Sequence, residues 1–131
     1  MRLLLDTHAL VWWLEDSPRL APRVAKMVKE PDNQIFVSAV SAYEAAYKHH
    51  RGRWPEVGPL VVGFEAVVTA QGFDLLPLSA AHAIRAGAFP REHRDPFDRM
   101  LVAQAMVEGL VLVSMDEGMK GMGAEVVWGR E

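Results

Sequence analysis

Leu3-Leu4-Leu5-Asp6-Thr7 joins three large apolar residues to an acid. A short, continuously apolar run reads as a strand buried on both faces, as in a parallel sheet covered by helices. Ile35-Phe36-Val37 and Leu110-Val111-Leu112-Val113 have the same character. Phe73–Leu76 and Val126–Trp128 are weaker runs and belong nearer the sheet edges. Between the runs the apolar spacing turns helical, with Leu20, Val24, Met27 and Val28 forming one stripe. Strands alternating with helices imply an α/β class with a mostly parallel sheet.

Local signals mark the helix ends. Ser38 or Ser41 caps a stretch through Tyr47, and Gly52 ends it. Ser79 caps a stretch through Ala88 that stops before Pro90. Asp95-Pro96 opens the best-marked helix, with Asp95 as N-cap, Pro96 at the first helical position and Gly109 just past the end. Leu60 to Ala70 is apolar nearly all round, which implies burial or an interface. No repeat, low-complexity tract or linker interrupts the pattern, so a single domain over residues 1–131 is expected.

Composition narrows the functional classes. Half of the 131 residues are hydrophobic and 24% are charged, a globular balance. The absence of cysteine excludes disulfides and thiolate zinc sites and is compatible with a cytoplasmic location. No apolar run approaches the ~20 residues that span a bilayer, and Asp6 arrives too early for a signal peptide. A net charge of −3 argues against a broad electrostatic grip on nucleic acid, but leaves room for a local basic patch.

Four acids stand where apolar runs end or helices begin: Asp6, Glu44, Asp98 and Asp116. Ligands of open parallel sheets bind outside the carboxyl ends of the strands. Each acid also has a purely structural reading. Asp6 could cap the helix that starts near His8, although Thr7 could do so equally. Glu44 has Lys48 one turn on, a pair worth roughly 0.2–0.5 kcal/mol in a helix. Asp98 lies in the first turn of its helix, where a carboxylate gains roughly 0.3–1 kcal/mol from the helix dipole. It also tops the apolar stripe of Val102, Ala105 and Met106, and an inward charge there needs a partner or a metal. Asp116 could be a turn residue ahead of Gly118, with Glu117 a weaker substitute. Gathered together, such carboxylates repel one another by about 4 kcal/mol per 4 Å pair at an effective dielectric near 20. An all-oxygen cluster suits Mg2+ or Mn2+ and the hydrolysis of phosphodiesters.

The motifs resemble a known family. Leu4-Leu5-Asp6-Thr7-His8-Ala9, Ser38-Ala39-Val40-Ser41-Ala42-Tyr43-Glu44, His93 through Ala105 and Val113-Ser114-Met115-Asp116 are similar to the PIN-domain nucleases, with VapC-type toxins of toxin–antitoxin pairs the nearest match. The resemblance runs from Leu3 to Trp128. It implies a three-layer α/β/α sandwich with a central, mostly parallel sheet. It also implies Mg2+- or Mn2+-dependent endoribonuclease activity, an RNA substrate, a cognate antitoxin and a homodimer. Carried over, the catalytic and metal-holding residues are Asp6, Glu44, Asp98 and Asp116, supported by Thr7 and Ser114. Ser114 stands where relatives often have Thr, and Tyr43 where many have Trp, a change expected to affect packing.

Lys48, Arg51, Arg53 and Arg94 lie in two basic stretches and are candidate RNA contacts, against the alternative of solvated loops. Of Trp12 and Trp13, one is expected in the core and the other as an exposed anchor; Leu60–Phe64 is a second candidate surface. Met115, Met119 and Met122 read as core filling. Two other functions fit less well. A phospho-receiver signalling domain needs a lysine at a strand end and paired acids after the first strand, and the chain has neither. A catalytically silent RNA- or partner-binding module would not need all four acids.

Overall fold

A computed structural model describes residues 1–128, so the last three positions of the expected domain lie outside the described residues. The strands are β1 (Arg2–Leu5), β2 (Gln34–Ser38), β3 (Asp74–Leu76), β4 (Val111–Ser114) and β5 (Val126–Trp128). The helices are α1 (Thr7–Leu14), α2 (Pro22–Lys29), α3 (Ala39–His50), α4 (Gly58–Val62), α5 (Phe64–Ala70), α6 (Ala80–Gly87) and α7 (Pro96–Glu108). The sheet order is β3-β2-β1-β4-β5, and every pairing is parallel. The two weak runs, β3 and β5, are indeed the edges.

The strand alternation sorts the core into two layers. Leu3 and Leu5 face one side and pack with Leu10, Val24, Val57, Leu60 and Val68 from α1, α2, α4, α5 and the turn before α4. Leu4 and Leu112 face the other side with Phe97, Leu101 and Val102 of α7. All three leucines of β1 are essentially sealed from solvent, and each such burial contributes about 2 kcal/mol. The result is the expected α/β/α sandwich.

The order places a switch point beside β1, where successive connections run to opposite sides. α7 runs antiparallel to the strands because it feeds parallel β4. Its N-terminus therefore arrives at the carboxyl edge, close to the end of β1. Gln104 of α7 is fully buried and locks this placement. Its Oε1 accepts from Ser38 Oγ at 2.5 Å, and its Nε2 donates to the Pro77 carbonyl at 3.2 Å. Ser38, not Ser41, is the cap of α3, its Oγ accepting from Val40 N. The apolar stretch from Leu60 to Ala70 breaks into two helices at Gly63, burying Leu60 and Val68 while Val62 is 91% exposed.

The loop before α7 is built by Arg99. Its guanidinium donates to the carbonyls of Ala86, Gly87, Phe89, Pro90 and His93. Only the planar fork of arginine can serve so many acceptors at once. Arg99→Met is expected to cost about 2 kcal/mol in a urea melt, because it removes five charge-assisted bonds at once, those to the Phe89 and His93 carbonyls among them partly buried. An unchanged midpoint would show that solvent replaces the arginine without loss.

Candidate active site

Asp6 directly follows β1 and serves as the N-cap of α1, which begins at Thr7, one residue before the expected start. Its Oδ1 accepts from Ala9 N at 2.7 Å, and its Oδ2 accepts from Ser114 Oγ at 2.7 Å. Thr7 does not share the capping role. Its hydroxyl lies 2.6 Å from Glu44 Oε1 and 2.9 Å from Ser41 Oγ, tying α1 to α3. Ser114 links two acids, since its Oγ also accepts from Asp116 N at 2.9 Å.

Glu44 is buried on α3, and Lys48 Nζ meets its Oε2 at 2.5 Å. Asp98 sits in the first turn of α7, whose N-cap Asp95 accepts from Phe97 N and Asp98 N through Oδ1. Asp116 follows β4 and accepts from Gly118 N at 2.8 Å, so it is both a turn residue and part of the site. Asp6, Thr7, Glu44, Lys48, Asp98 and Asp116 line one pocket of about 60 Å3, joined there by His8 and Asp95. The structure brings all four sequence-predicted acids to it.

Electrostatics register the crowding. Burial, with a smaller push from Glu44 and Asp116, raises Asp6 to about 6 against hydrogen bonds from Ala9 and Ser114 that pull it down. Burial raises Asp98 further, to about 8, helped by the charges of Asp95 and Asp116 and by a hydrogen bond shared with the Asp116 carboxyl. Carboxyl groups raised this far above their ordinary range mark a buried site crowded with negative charge.

The donor set is oxygen only and fits a hard divalent cation such as Mg2+ or Mn2+. Among the described residues no three acids or histidines form a ready-made metal cage. The carboxylates are instead held by backbone and side-chain donors, by Lys48 and by one another. Asp6, Asp98 and Asp116 are the groups that would turn to an ion, with Glu44 joining them only where Lys48 lets go of it.

The supporting residues divide. Lys48 points into the acidic pocket and does not flank it. Arg51 lies 3.6 Å from the centroid of the Tyr47 ring and donates to the Tyr47 carbonyl, and Arg53 is exposed outside the pocket lining. Arg94 lines an adjoining cleft of about 400 Å3 that shares Asp95 and Asp98 with the acidic pocket. A larger cleft of about 740 Å3 adjoins it through His8 and Asp116. His8 is the residue that sequence reading missed. It stacks on Trp54 at 4.7 Å between centroids, and burial lowers its pKa. Its place directly after Asp6-Thr7 was the available signal. Tyr43 is 58% exposed and packs by ring contact on Tyr47 and Phe97, away from the acids' hydrogen bonds. Trp12 is core, whereas Trp13 is half-buried, its indole donating to Gln71 Oε1 at 3.0 Å, and is not a free anchor. Met119 and Met122 fill the core as expected, and Met115 is partly exposed.

Comparison with known proteins agrees with this geometry. The family model described as PIN domain matches residues 3–125. Ribonuclease VapC22 of Mycobacterium tuberculosis is 27% identical over 120 residues, covering 90% of this chain and 89% of that protein. Among solved structures, VapBC2 from Rickettsia felis bound to a promoter DNA fragment superposes with a TM-score of 0.70 at 15% identity, covering 98% of both chains. Mycobacterium tuberculosis VapC20, described as a sarcin–ricin loop cleaving toxin, gives 0.59 at 13% identity over 84% of this chain and 86% of that one. With a parallel sheet that gathers four acids at its carboxyl edge and a family match over nearly its whole length, the chain belongs to the PIN-domain family.

Proposed function

We propose that the protein is a Mg2+- or Mn2+-dependent endoribonuclease and the toxin of a toxin–antitoxin pair. The observation that carries this reading is the meeting of Asp6, Glu44, Asp98 and Asp116 on one small pocket that shares lining residues with two larger clefts. Family membership supports it, as do the names of relatives: one a ribonuclease, another a cleaving toxin.

A divalent ion, when bound, supplies Lewis acidity at the phosphate and lowers the pKa of water. The chain's own groups do the rest. Ser114 and the Ala9 amide fix the Asp6 carboxylate, and Thr7 fixes Glu44, so the acids meet the substrate preorganised. Water attacks phosphorus in line with the 3′-oxygen. Its oxygen bonds to phosphorus as water gives up one proton, the bond from phosphorus to the 3′-oxygen breaks, and that oxygen takes up one proton in exchange. The products carry a 5′-phosphate and a 3′-hydroxyl.

Arg51, Arg53 and Arg94 lie outside the acids and are the outer RNA contacts in this reading. An antitoxin is the protein partner. The apolar groove of about 180 Å3 lined by Val11, Leu14, Val57, Leu60 and Val67 supports such a partner. A homodimer and a cytoplasmic location complete the reading; among the described residues no helix is long and apolar enough to cross a membrane.

The test is incubation of mixed RNA with Mg2+ or Mn2+, with and without EDTA, followed by analysis of the product ends. Cleavage that needs the metal and leaves 5′-phosphates is expected. Cleavage that persists in EDTA, or that leaves cyclic phosphates, would contradict the proposed chemistry.

A further inference from the structure

Lys48 is in the wrong place for an ordinary surface lysine. It lies on α3 one turn after Glu44, a spacing that normally makes a solvated helix pair. Here the pair turns into the acidic pocket, and the side chains of Lys48 and Glu44 are only 25% and 7% exposed. Aromatic walls hold the ammonium from two directions: Nζ is 5.8 Å from the Trp54 ring centroid and 5.8 Å from that of Phe97. Trp54 is itself fixed by stacking on His8, and Phe97 is buried at the start of α7. Three elements therefore converge to hold one positive charge beside the acids.

Glu44 is correspondingly committed. Its Oε1 takes the Thr7 hydroxyl and its Oε2 takes the ammonium. That leaves Asp6, Asp98 and Asp116 as the carboxylates without a cationic hydrogen-bond partner among the described residues. The ammonium also occupies the pocket itself, lining it together with the four acids. A pair of metal ions, normally about 3.5–4 Å apart, would have to stand beside that fixed positive charge.

We propose that Lys48 stands in for a second metal ion: its ammonium neutralises Glu44 and contacts a non-bridging oxygen of the scissile phosphodiester, so the pocket takes one divalent cation, held by Asp6, Asp98 and Asp116. The inference rests on the nuclease reading for its substrate, but not for its ion count. Lysine binds phosphate as a compact point charge, and the pocket supplies it already placed.

Titration with Mn2+ alone, followed by calorimetry, tests the ion count directly on the wild-type chain. One ion per chain is expected. Lys48→Met frees Glu44 and is expected to take up a second Mn2+. Its kcat on RNA is expected to fall on the order of 100-fold, as for loss of one preorganised contact to a reacting group. Its affinity for RNA in EDTA is expected to fall too, an effect that does not depend on a loaded metal. Lys48→Arg keeps the charge and is expected to stay at one ion and cleave faster than Lys48→Met. Two ions in the wild type would overturn the proposal, and so would a Lys48→Met chain that binds one ion and cleaves at the full rate. No cleavage by the wild type, with the change from one ion to two intact, would refute the nuclease reading and leave the charge replacement standing. A wild type that binds no Mn2+ refutes both.

Discussion

Asp6→Asn is expected to lower metal-dependent RNA cleavage by well over about 100-fold and to leave the fold intact. Even groups one step removed from a metal typically cost about 10–100-fold when changed, so a direct ligand should cost more. The reason the fold survives is specific to this position. Asn caps helices about as well as Asp, so the bond from Ala9 N to the side-chain oxygen persists. The new amide can donate to Ser114 Oγ, which at present donates to Asp6 Oδ2. What disappears is a negative charge at the carboxyl end of β1. Circular dichroism and a thermal melt on the variant separate the two effects. A variant that melts like the wild type and still cuts RNA at the full rate would remove Asp6 from the catalytic set.

The second large effect concerns pH and the metal-free protein. Asp98 is held at about 8 and Asp6 at about 6, both from an ordinary value of 3.8. Between pH 4 and pH 8 the folded chain therefore holds protons that the unfolded chain has already released. Folding stability from these groups is fully present below pH 4 and is lost as the pH rises to 8. Solvent screens Asp98, which is only partly buried, so its share of the loss is about 2–3 kcal/mol. Asp98→Asn removes a charge that has no good partner. In EDTA at pH 8 this variant is expected to melt about 5 °C or more above the wild type, even after surrendering the ~0.3–1 kcal/mol that a first-turn carboxylate gains from the helix dipole. Mg2+ is expected to stabilise the wild type and to do little for the variant. A lower melting point for Asp98→Asn would mean that the carboxylate serves the start of α7 before it serves any ion.

Much of this architecture is legible in the sequence because it is dictated locally. Leu3–Leu5, Ile35–Val37 and Leu110–Val113 are continuously apolar since both faces of β1, β2 and β4 are covered. α7 is delimited to the residue by Asp95, Pro96 and the left-handed Gly109 at φ 68°. Asp6, Asp98 and Asp116 are legible for the same reason, since each follows a strand or opens a helix; Glu44 lies in the second turn of α3 and is legible only through the motif around it. Contacts that join distant segments are not. Thr7 reads as an alternative cap, yet its partner Glu44 is 37 residues away. Lys48 reads as the outer half of a helix pair, and only the folded arrangement of Trp54 and Phe97 turns it inward. Arg99 gives no local sign that it satisfies five carbonyls from α6 through the loop before α7. Helix spacing fixes where a side chain leaves the backbone, whereas these three roles are fixed by what the rest of the chain brings to meet it.

The most direct measurement follows one labelled RNA pool with increasing Mn2+, using wild type, Asp6→Asn and Asp98→Asn side by side. Saturable, Mn2+-dependent cutting by the wild type, with loss of cutting in both variants and both still folded, is the expected result. Full cleavage by both variants would contradict the placement of the active site at the carboxyl edge of β1.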